Sequence, residues 1–183
     1  QTCALPIFRT LPVIDIGPFV SESSGQARQQ VARELREVCI NIGFFYITGH
    51  GIPVDEMEEV IEWGHRFFGL PLEEKMKMHQ SLTPGKQGYV GVGGVNPYAQ
   101  TAREPDIKER FSMSRERLPD EPPGASFNTG EAVWPGPGVL PGFEEAMKSH
   151  LLKRCNLARR LVRAIALSLE LPEDYFDAMY RYM

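Results

Sequence analysis

An amphipathic helical pattern over residues 142–171 constrains the fold of this chain more than any other feature. Its apolar residues recur at helical spacing and form one continuous stripe of Phe143, Met147, Leu151, Cys155, Ala158, Leu161, Val162, Ile165 and Leu169. A helix of this length with one apolar face needs a broad apolar surface to cover it, and a sheet commonly supplies that surface. The pattern therefore predicts a long helix that braces a sheet.

Shorter patterns predict a mixture of further helices and strands. Apolar residues at helical spacing predict helices over 27–42, 55–68 and 72–78 and a last short helix after Pro172. Segments rich in β-branched and aromatic residues predict strands over 11–16, 44–48 and 106–114, and the Gly-rich segment 85–96 predicts a strand or an extended loop. The strand at 44–48 is expected to be buried, and Asp55 with Glu58 has the spacing of a capping box. The predicted fold class is α+β.

The charge balance restricts the kinds of molecule that we expect this chain to bind. The chain carries 20 Lys and Arg against 24 Asp and Glu, a net charge of −4, whereas nucleic-acid modules usually present a basic surface. No apolar run approaches the roughly 18 residues that cross a membrane. We therefore expect no nucleic-acid partner and no membrane span. Lys108 and Glu109 are expected to form an ion pair or to be exposed strand charges.

The cysteines indicate a reducing compartment. The three residues, Cys3, Cys39 and Cys155, are too sparse for a disulfide framework and include no Cys-x-x-Cys pair. Cys39 and Cys155 fall on apolar helical stripes, so we expect both to be small buried hydrophobes. A cytoplasmic location is predicted.

The chain divides into four predicted segments. Residues 1–7 have neither an initiator Met nor the regions of a signal peptide, and they can be back-translated into a common sequencing-library adapter. We interpret them as a non-native leader. The other segments are an α+β region at 8–118, a Pro- and Gly-rich connection at 119–142, and the long helix with a short helix at 143–183.

The sequence contains no complete motif for a metal or nucleophile site. Its four histidines are His50, His65, His79 and His150, and none belongs to an HxD, HxE or HExxH motif. The Gly-rich stretch at 88–94 fits neither phosphate-binding pattern. His50 lies in a Gly-His-Gly turn, where bonding to the local backbone is the favoured interpretation over a functional role.

Several of these segments follow one another in the order found in a known family. They are Leu-Pro-Val-Ile-Asp at 11–15, Gly-Phe-Phe-Tyr-Ile-Thr-Gly-His-Gly-Ile-Pro at 43–53, Phe-Phe-Gly-Leu-Pro-Leu-Glu-Glu-Lys at 67–75, Gly-Tyr at 88–89 and Asp-Ile-Lys-Glu-Arg-Phe at 106–111. The series resembles the N-terminal region of non-haem iron, 2-oxoglutarate-dependent oxygenases of the isopenicillin N synthase-like family. The resemblance covers residues 11–183, and the segment 43–53 is its most specific part.

The resemblance implies a fold and a cofactor set. The helices and strands would flank a double-stranded β-helix, or jelly-roll, core that is mostly missing from this chain. Two His and one Asp, beginning with His-x-Asp, would bind Fe(II), and a Tyr and an Arg-x-Ser would bind 2-oxoglutarate, all in the C-terminal half of the family. The Arg-x-Ser at 110–112 lies in the wrong segment for this role. No catalytic, metal or cofactor-binding residue is therefore assigned in this chain.

The resemblance also implies which residues approach a substrate. In the family, the Gly-Tyr segment and the extended stretch after it can face the mouth of the active site. That position points to Lys86, Tyr89 and Asn96, with Phe111 as a further wall of the pocket. Lys86 would attract an anionic substrate, and Tyr89 would stack on or hydrogen-bond a small one. Loop packing for Tyr89 and solvent exposure for Lys86 are equally open.

The expected function is that of the N-terminal part of an Fe(II)/2-oxoglutarate-dependent oxygenase. The full enzyme would use O2 to oxidise a small metabolite by hydroxylation, desaturation or ring closure, and some members of the family do not use 2-oxoglutarate. This chain alone is expected to bind neither cofactor and to be inactive. The alternative is a stand-alone, non-catalytic module that docks a partner through the exposed apolar stripe of the long helix.

Overall fold

The structure, a computed structural model, describes residues 10–21, 23–94, 107–115, 119–122 and 130–181. In chain order the elements are β1 (Val13–Asp15), α1 (Gly17–Val20), α2 (Gly25–Asn41), β2 (Tyr46–Thr48), α3 (Val54–Phe68), α4 (Leu72–Met76), a 3-10 turn (Gln80–Leu82), β3 (Gly88–Val90), β4 (Arg110–Ser112) and α5 (Phe143–Ser168). This mixture of helices and strands confirms the α+β class. No helix in these ranges combines the length and apolar character needed to cross a membrane.

The described residues form two compact units. The first unit contains the described residues up to Ile52 together with Arg154–Arg181, and the second contains those from Pro53 to Lys153. Each unit has its own hydrophobic cluster. The predicted leader at 1–7 lies outside the described residues, and the four-segment division stays a prediction.

In the first unit, β1 and β2 form a parallel pair against α2. Val13 lies beside Tyr46 and Ile14 beside Ile47. One face of the pair, which carries Ile14, packs into a core of Ile14, Ile16, Phe19, Val31, Leu35 and Ala164. Helix α2 begins where the Ala27 N–H donates to the Ser24 side-chain oxygen at 3.3 Å, because that hydroxyl satisfies one of the free N–H groups of the first turn.

The expectation that the strand at 44–48 is buried is wrong. Phe44 is 72% exposed and Tyr46 is 63% exposed. Among the described residues this sheet has two strands, and α2 covers one face, so side chains on the other face meet solvent. A continuous apolar run correctly indicated a strand, but it carried no information on how many faces of that strand are covered.

In the second unit, α3 and α4 pack with the antiparallel pair β3–β4. The register places Gly88 opposite Ser112, Tyr89 opposite Phe111 and Val90 opposite Arg110. The core of this unit is rich in large side chains: Phe67, Met78, Tyr89, Leu140, Phe143 and Met147. Helix α3 begins after Pro53, so Asp55 lies within its first turn and the predicted capping box does not form. An acidic residue there still complements the positive end of the helix dipole.

Helix α5 confirms the long helix but only part of its predicted stripe. Phe143 and Met147 are buried in the core of the second unit, whereas Ile165 and Leu169 are exposed. In the C-terminal half, Ala164 enters the core of the first unit. In this half of the helix the buried residues are therefore small ones, which let the helix backbone approach the core closely. The larger apolar residues of the predicted stripe lie beside them.

Two further expectations are wrong. Residues 173–181 form successive turns, with the Tyr175 N–H bonded to the Pro172 oxygen, and not a last helix. Cys39 is exposed and Cys155 is only partly buried, although both were expected in the core. Helical spacing placed these cysteines near apolar neighbours, but the packed face of each helix is narrower than the apolar pattern.

Candidate functional site

The pair β3–β4 carries two of the four residues that the sequence predicts near a substrate. Gly88 lets the chain approach its neighbour closely, because its φ is +117° and an added Cβ would lie 2.3 Å from the Met78 carbonyl oxygen. The Tyr89 N–H donates to that same oxygen at 2.8 Å. The segment at Met78 therefore fixes β3 from one side while Phe111 of β4 lies opposite Tyr89 on the other.

Tyr89 is fully buried in the core of the second unit. Its ring lies 6.3 Å from the Phe67 ring, and the Lys75 ammonium nitrogen lies 5.4 Å from its centroid. No hydrogen bond of ordinary geometry reaches its hydroxyl among the described residues. Burial raises the pKa of the Tyr89 phenol, and the positive charge of Lys75 opposes that rise. The phenol is thus held neutral inside the unit.

A buried ion pair lies beside this phenol. The Lys75 ammonium, on α4, donates to the Phe68 carbonyl oxygen at 3.0 Å and to Glu109 Oε2 at 2.8 Å. Lys75 is only 6% exposed, so its charge requires both partners. The pair joins α4 to the residue directly before β4. Glu109 is therefore an ion-pair residue, with Lys75 as its partner, and not a freely exposed strand charge.

Phe111 belongs to a packed aromatic cluster. Its ring centroid lies 4.8 Å from that of Phe67, 5.3 Å from Trp134 and 5.8 Å from Phe143. Phe67 and Phe143 stack at 5.0 Å with an interplanar angle of 10°. Edge-to-face and stacked rings of this kind pack tightly and hold one another in place. The cluster gives β4 a rigid backing.

Lys86 lies in an exposed turn away from these core contacts. Thr83 holds the turn, since its hydroxyl donates to the Gln87 oxygen at 2.8 Å and accepts from the Gln87 N–H at 2.9 Å. Lys86 has a φ of +52°, which is uncommon for a residue with a side chain. The expected solvent exposure of Lys86 and packing of Tyr89 both agree with these positions. Asn96 lies outside the described residues.

The structure thus brings Tyr89 and Phe111 together and places Lys86 in a separate turn. That these residues and Asn96 line a substrate pocket stays a prediction. Sequence reasoning missed Lys75 and its pairing with Glu109, which lies 34 positions away. The only sequence signal for this ion pair was a lysine in a short helix, and such lysines are usually exposed.

His50 and His79 each form a hydrogen bond with a residue two positions further along the chain. His50 Nδ1 accepts the Ile52 N–H at 3.1 Å, which confirms the expected turn. His79 Nδ1 lies 2.8 Å from the Ser81 hydroxyl. Within the described ranges, no three His, Cys, Asp or Glu side chains come together as a metal site. The described histidines do not supply the two-His, one-Asp ligand set that the resemblance implies for Fe(II), so no chemical step is assigned to them.

Comparison with known proteins identifies the family. A family model described as the N-terminal part of non-haem dioxygenases in morphine synthesis matches residues 11–137. The chain therefore belongs to this family of oxygenase N-terminal regions, and the resemblance seen in the sequence is confirmed.

Individual relatives agree with this assignment. The chain is 32% identical to the 2-oxoglutarate-dependent dioxygenase eupC of a Phoma species, over 87% of this chain and 51% of that protein. It is 34% identical to azadirone synthase LFS of Melia azedarach, over 78% of this chain and 42% of that protein. The chain thus spans about half the length of the curated relatives it matches.

A solved structure shares the fold. A full-length Neurospora crassa protein, crystallised in complex with alpha-KG, matches with a TM-score of 0.70 and 27% identity. The match covers 91% of this chain and 49% of the Neurospora crassa protein. The fold of this chain is therefore found in part of a larger protein that binds alpha-KG.

Proposed function

We propose that this chain is the N-terminal part of an Fe(II)/2-oxoglutarate-dependent oxygenase that oxidises a small metabolite. The family match over residues 11–137 carries the proposal, because it runs through β1, α2, β2, α3 and the β3–β4 pair. Several relatives have names that describe 2-oxoglutarate enzymes. These relatives are about twice as long as the part that this chain spans.

The residues that hold the cofactors are proposed to lie outside this chain. Fe(II) and 2-oxoglutarate, when bound there, would supply the oxidising chemistry with O2. A jelly-roll core would carry their ligands, and this chain alone would bind neither cofactor and show no activity.

In this proposal, the second unit is a scaffold that presents residues to the substrate. The Lys75–Glu109 ion pair and the aromatic cluster around Phe67 fix the β3–β4 pair from behind. Lys86, Tyr89, Asn96 and Phe111 are proposed to border the substrate. The partners would be a small molecule and O2, with no nucleic acid and no membrane, in the cytoplasm.

Long-read sequencing of the source locus across both ends tests the proposal. We expect the reading frame to continue past Met183 into His-x-Asp, a distal His and Arg-x-Ser. A stop codon directly after Met183 in genomic DNA would contradict the oxygenase proposal.

A stop codon there would favour the second candidate, a stand-alone binding module. Ile165 in the last turn of α5 and Leu169 directly after its end support that candidate, because 39% and 50% of their surfaces are exposed. Apolar side chains of this size on one helix can dock a partner. The same sequencing experiment therefore separates the two functions.

A further inference from the structure

A cleft of about 390 Å³ lies between α3 and the first half of α5, within the second unit. Each helix lines it with residues at helical spacing, so one face of each helix forms a wall. The wall on α3 consists of Glu56, Glu59, Val60 and Trp63, and the wall on α5 includes Gly142, Glu145, Ala146, Ser149, His150 and Lys153. The volume lies in the range of cavities that bind small molecules.

The apolar part of the cleft is continuous with the core of the second unit. Val60, Trp63 and Ala146 all pack against that core. The Trp63 ring meets the Phe143 ring edge-on at 6.1 Å, and Trp63 Nε1 donates to Glu59 Oε1 at 3.2 Å. The indole is therefore held from both sides, and a ligand would meet a wall that is already formed.

Negative charge dominates the polar part of the cleft. Glu56, Glu59 and Glu145 line it against a single lysine, Lys153, so with a neutral His150 the cleft carries an excess of negative charge. A concave surface with walls of one charge concentrates ions of the opposite sign. The cleft therefore favours a cation.

Two side chains show what kind of cation these walls accept. The ammonium of Lys153, at the end of an alkyl stem, pairs with Glu56 on the facing helix. The guanidinium carbon of Arg66 lies 4.1 Å from the centroid of the Trp63 ring, an arrangement that favours organic cations over strongly hydrated ones. Both internal partners are organic cations with an apolar stem.

Glu59 and Glu145 keep acceptor positions for a further cation. A carboxylate offers about four acceptor positions, and the indole of Trp63 uses one on Glu59. In the part of the chain that the structure describes, no hydrogen bond or ion pair reaches the Glu145 carboxylate. Its neighbour Glu144, in contrast, pairs with Lys148 at 2.9 Å.

We propose that this cleft binds a small organic cation in which an ammonium group is joined to an apolar group. The ammonium pairs with Glu59 and Glu145, and the apolar group packs against Val60, Trp63 and Ala146. The site is distinct from the residues proposed to border the oxygenase substrate, and it does not rest on the proposed function.

An NMR titration with benzylammonium tests the site, with the protein at the full length that its gene encodes. The indole Nε1–H signal of Trp63, identified by its loss in Trp63→Phe, reports on the cleft because this group bonds Glu59. We expect a saturable shift with a Kd of about 1 mM, as suits so small a probe. Benzyl alcohol has nearly the same shape without the charge and should bind at least about fivefold more weakly.

Glu145→Gln should weaken the binding of benzylammonium by about three- to fivefold, because it removes one carboxylate at constant shape. The double variant with Glu59→Gln should weaken it by about tenfold or more. Glu144→Gln is the matched control, since Glu144 pairs with Lys148 and does not line the cleft. Its Kd should stay within about twofold of the unmodified protein.

The absence of a saturable shift with benzylammonium would overturn the proposal. Equal affinity for benzyl alcohol would reduce the cleft to an apolar surface and would overturn it as well, as would equal losses in Glu144→Gln and Glu145→Gln. Should Glu145→Gln fail to fold, Glu59→Gln gives an independent reading, because its amide oxygen can still accept the Trp63 N–H.

Discussion

The two units of this chain bury similar aromatic pairs very differently. Phe67 is fully buried in the second unit, whereas Phe44, which also begins a Phe-Phe pair, is 72% exposed in the first. The second unit buries the rings of Phe67, Tyr89 and Phe143 and the Lys75 ammonium within its own elements. The first unit has an aliphatic core on one side of a two-stranded sheet. A complete core and a one-sided core can therefore follow one another in a single chain.

This difference indicates which of the two units leaves apolar side chains for another layer to cover. The second unit packs Phe67, Tyr89 and Phe143 within its own core, so its stability should respond strongly to changes within that core. The first unit leaves Phe44 and Tyr46 exposed on its two-stranded sheet, so changes there should have little effect until another layer covers them. Substitutions at matched positions in the two units test this contrast.

Phe67→Ala should give the largest effect. The substitution removes a ring that stacks on Phe143 and meets the edge of Phe111, and it leaves a cavity in a dense core. We expect the free energy of unfolding to fall by about 3 to 5 kcal/mol in urea denaturation. Phe44→Ala is the matched control and should change it by less than about 0.5 kcal/mol. Similar losses for the two variants would refute the contrast between the units.

Gly49→Ala should strongly destabilise the first unit at the end of β2. Gly49 has a φ of +65°, and an added Cβ would lie 2.1 Å from Asp15 Oδ1 and 2.8 Å from the Gly17 nitrogen. That oxygen accepts the Gly17 N–H, so the close approach is part of a bonded turn. We expect a loss of about 2 to 4 kcal/mol in the free energy of unfolding.

Gly25→Ala is the control for this change, because a Cβ at Gly25 would meet nothing within 4 Å. It should be neutral or slightly stabilising in the same denaturation experiment. A neutral Gly49→Ala would show that the ends of β1 and β2 do not require this close approach.

Lys75→Met should destabilise the second unit by an intermediate amount. The change leaves the Glu109 carboxylate, which is partly buried, without its ammonium partner. We expect a loss of about 1 to 3 kcal/mol, below the range for a fully buried pair because part of Glu109 meets water. The double variant with Glu109→Gln should recover part of that loss.

Lys77→Met is the matched control, because Lys77 pairs with Glu74 on the solvent side of the same region. Its unfolding midpoint should stay within experimental error of the unmodified chain. A Lys75→Met variant that is equally unaffected would show that the buried pair does not hold the β3–β4 region.

Much of the secondary structure could be predicted from the sequence, because it follows local patterns. Helices α2, α3 and α5 follow their apolar spacing, and the His50 turn follows its flanking glycines. What could not be predicted depends on distant partners. The exposure of Phe44 depends on how many layers cover the sheet, and the pairing of Lys75 depends on Glu109 far along the chain.

Tyr89→Phe should have the smallest effect, and only at alkaline pH. Burial raises the pKa of the Tyr89 phenol, so the folded state favours the neutral form. Its contribution is fully present below the unfolded pKa of about 10 and is lost as pH rises through the higher folded value. Urea midpoints between about pH 9 and 11 should therefore fall more for the unmodified chain than for Tyr89→Phe. The midpoint of Tyr46→Phe, a change at an exposed position of β2, should fall as much as that of the unmodified chain.

The binding of 2-oxoglutarate tests the central claim most directly. Titration calorimetry under anaerobic conditions would compare the 183-residue chain with the same chain extended along its reading frame, each with Fe(II). The account predicts Fe(II)-dependent binding to the extended protein and none to the 183-residue chain. Equal binding to the two proteins, or none to the extended protein, would contradict the assignment of this chain as the N-terminal part of such an oxygenase.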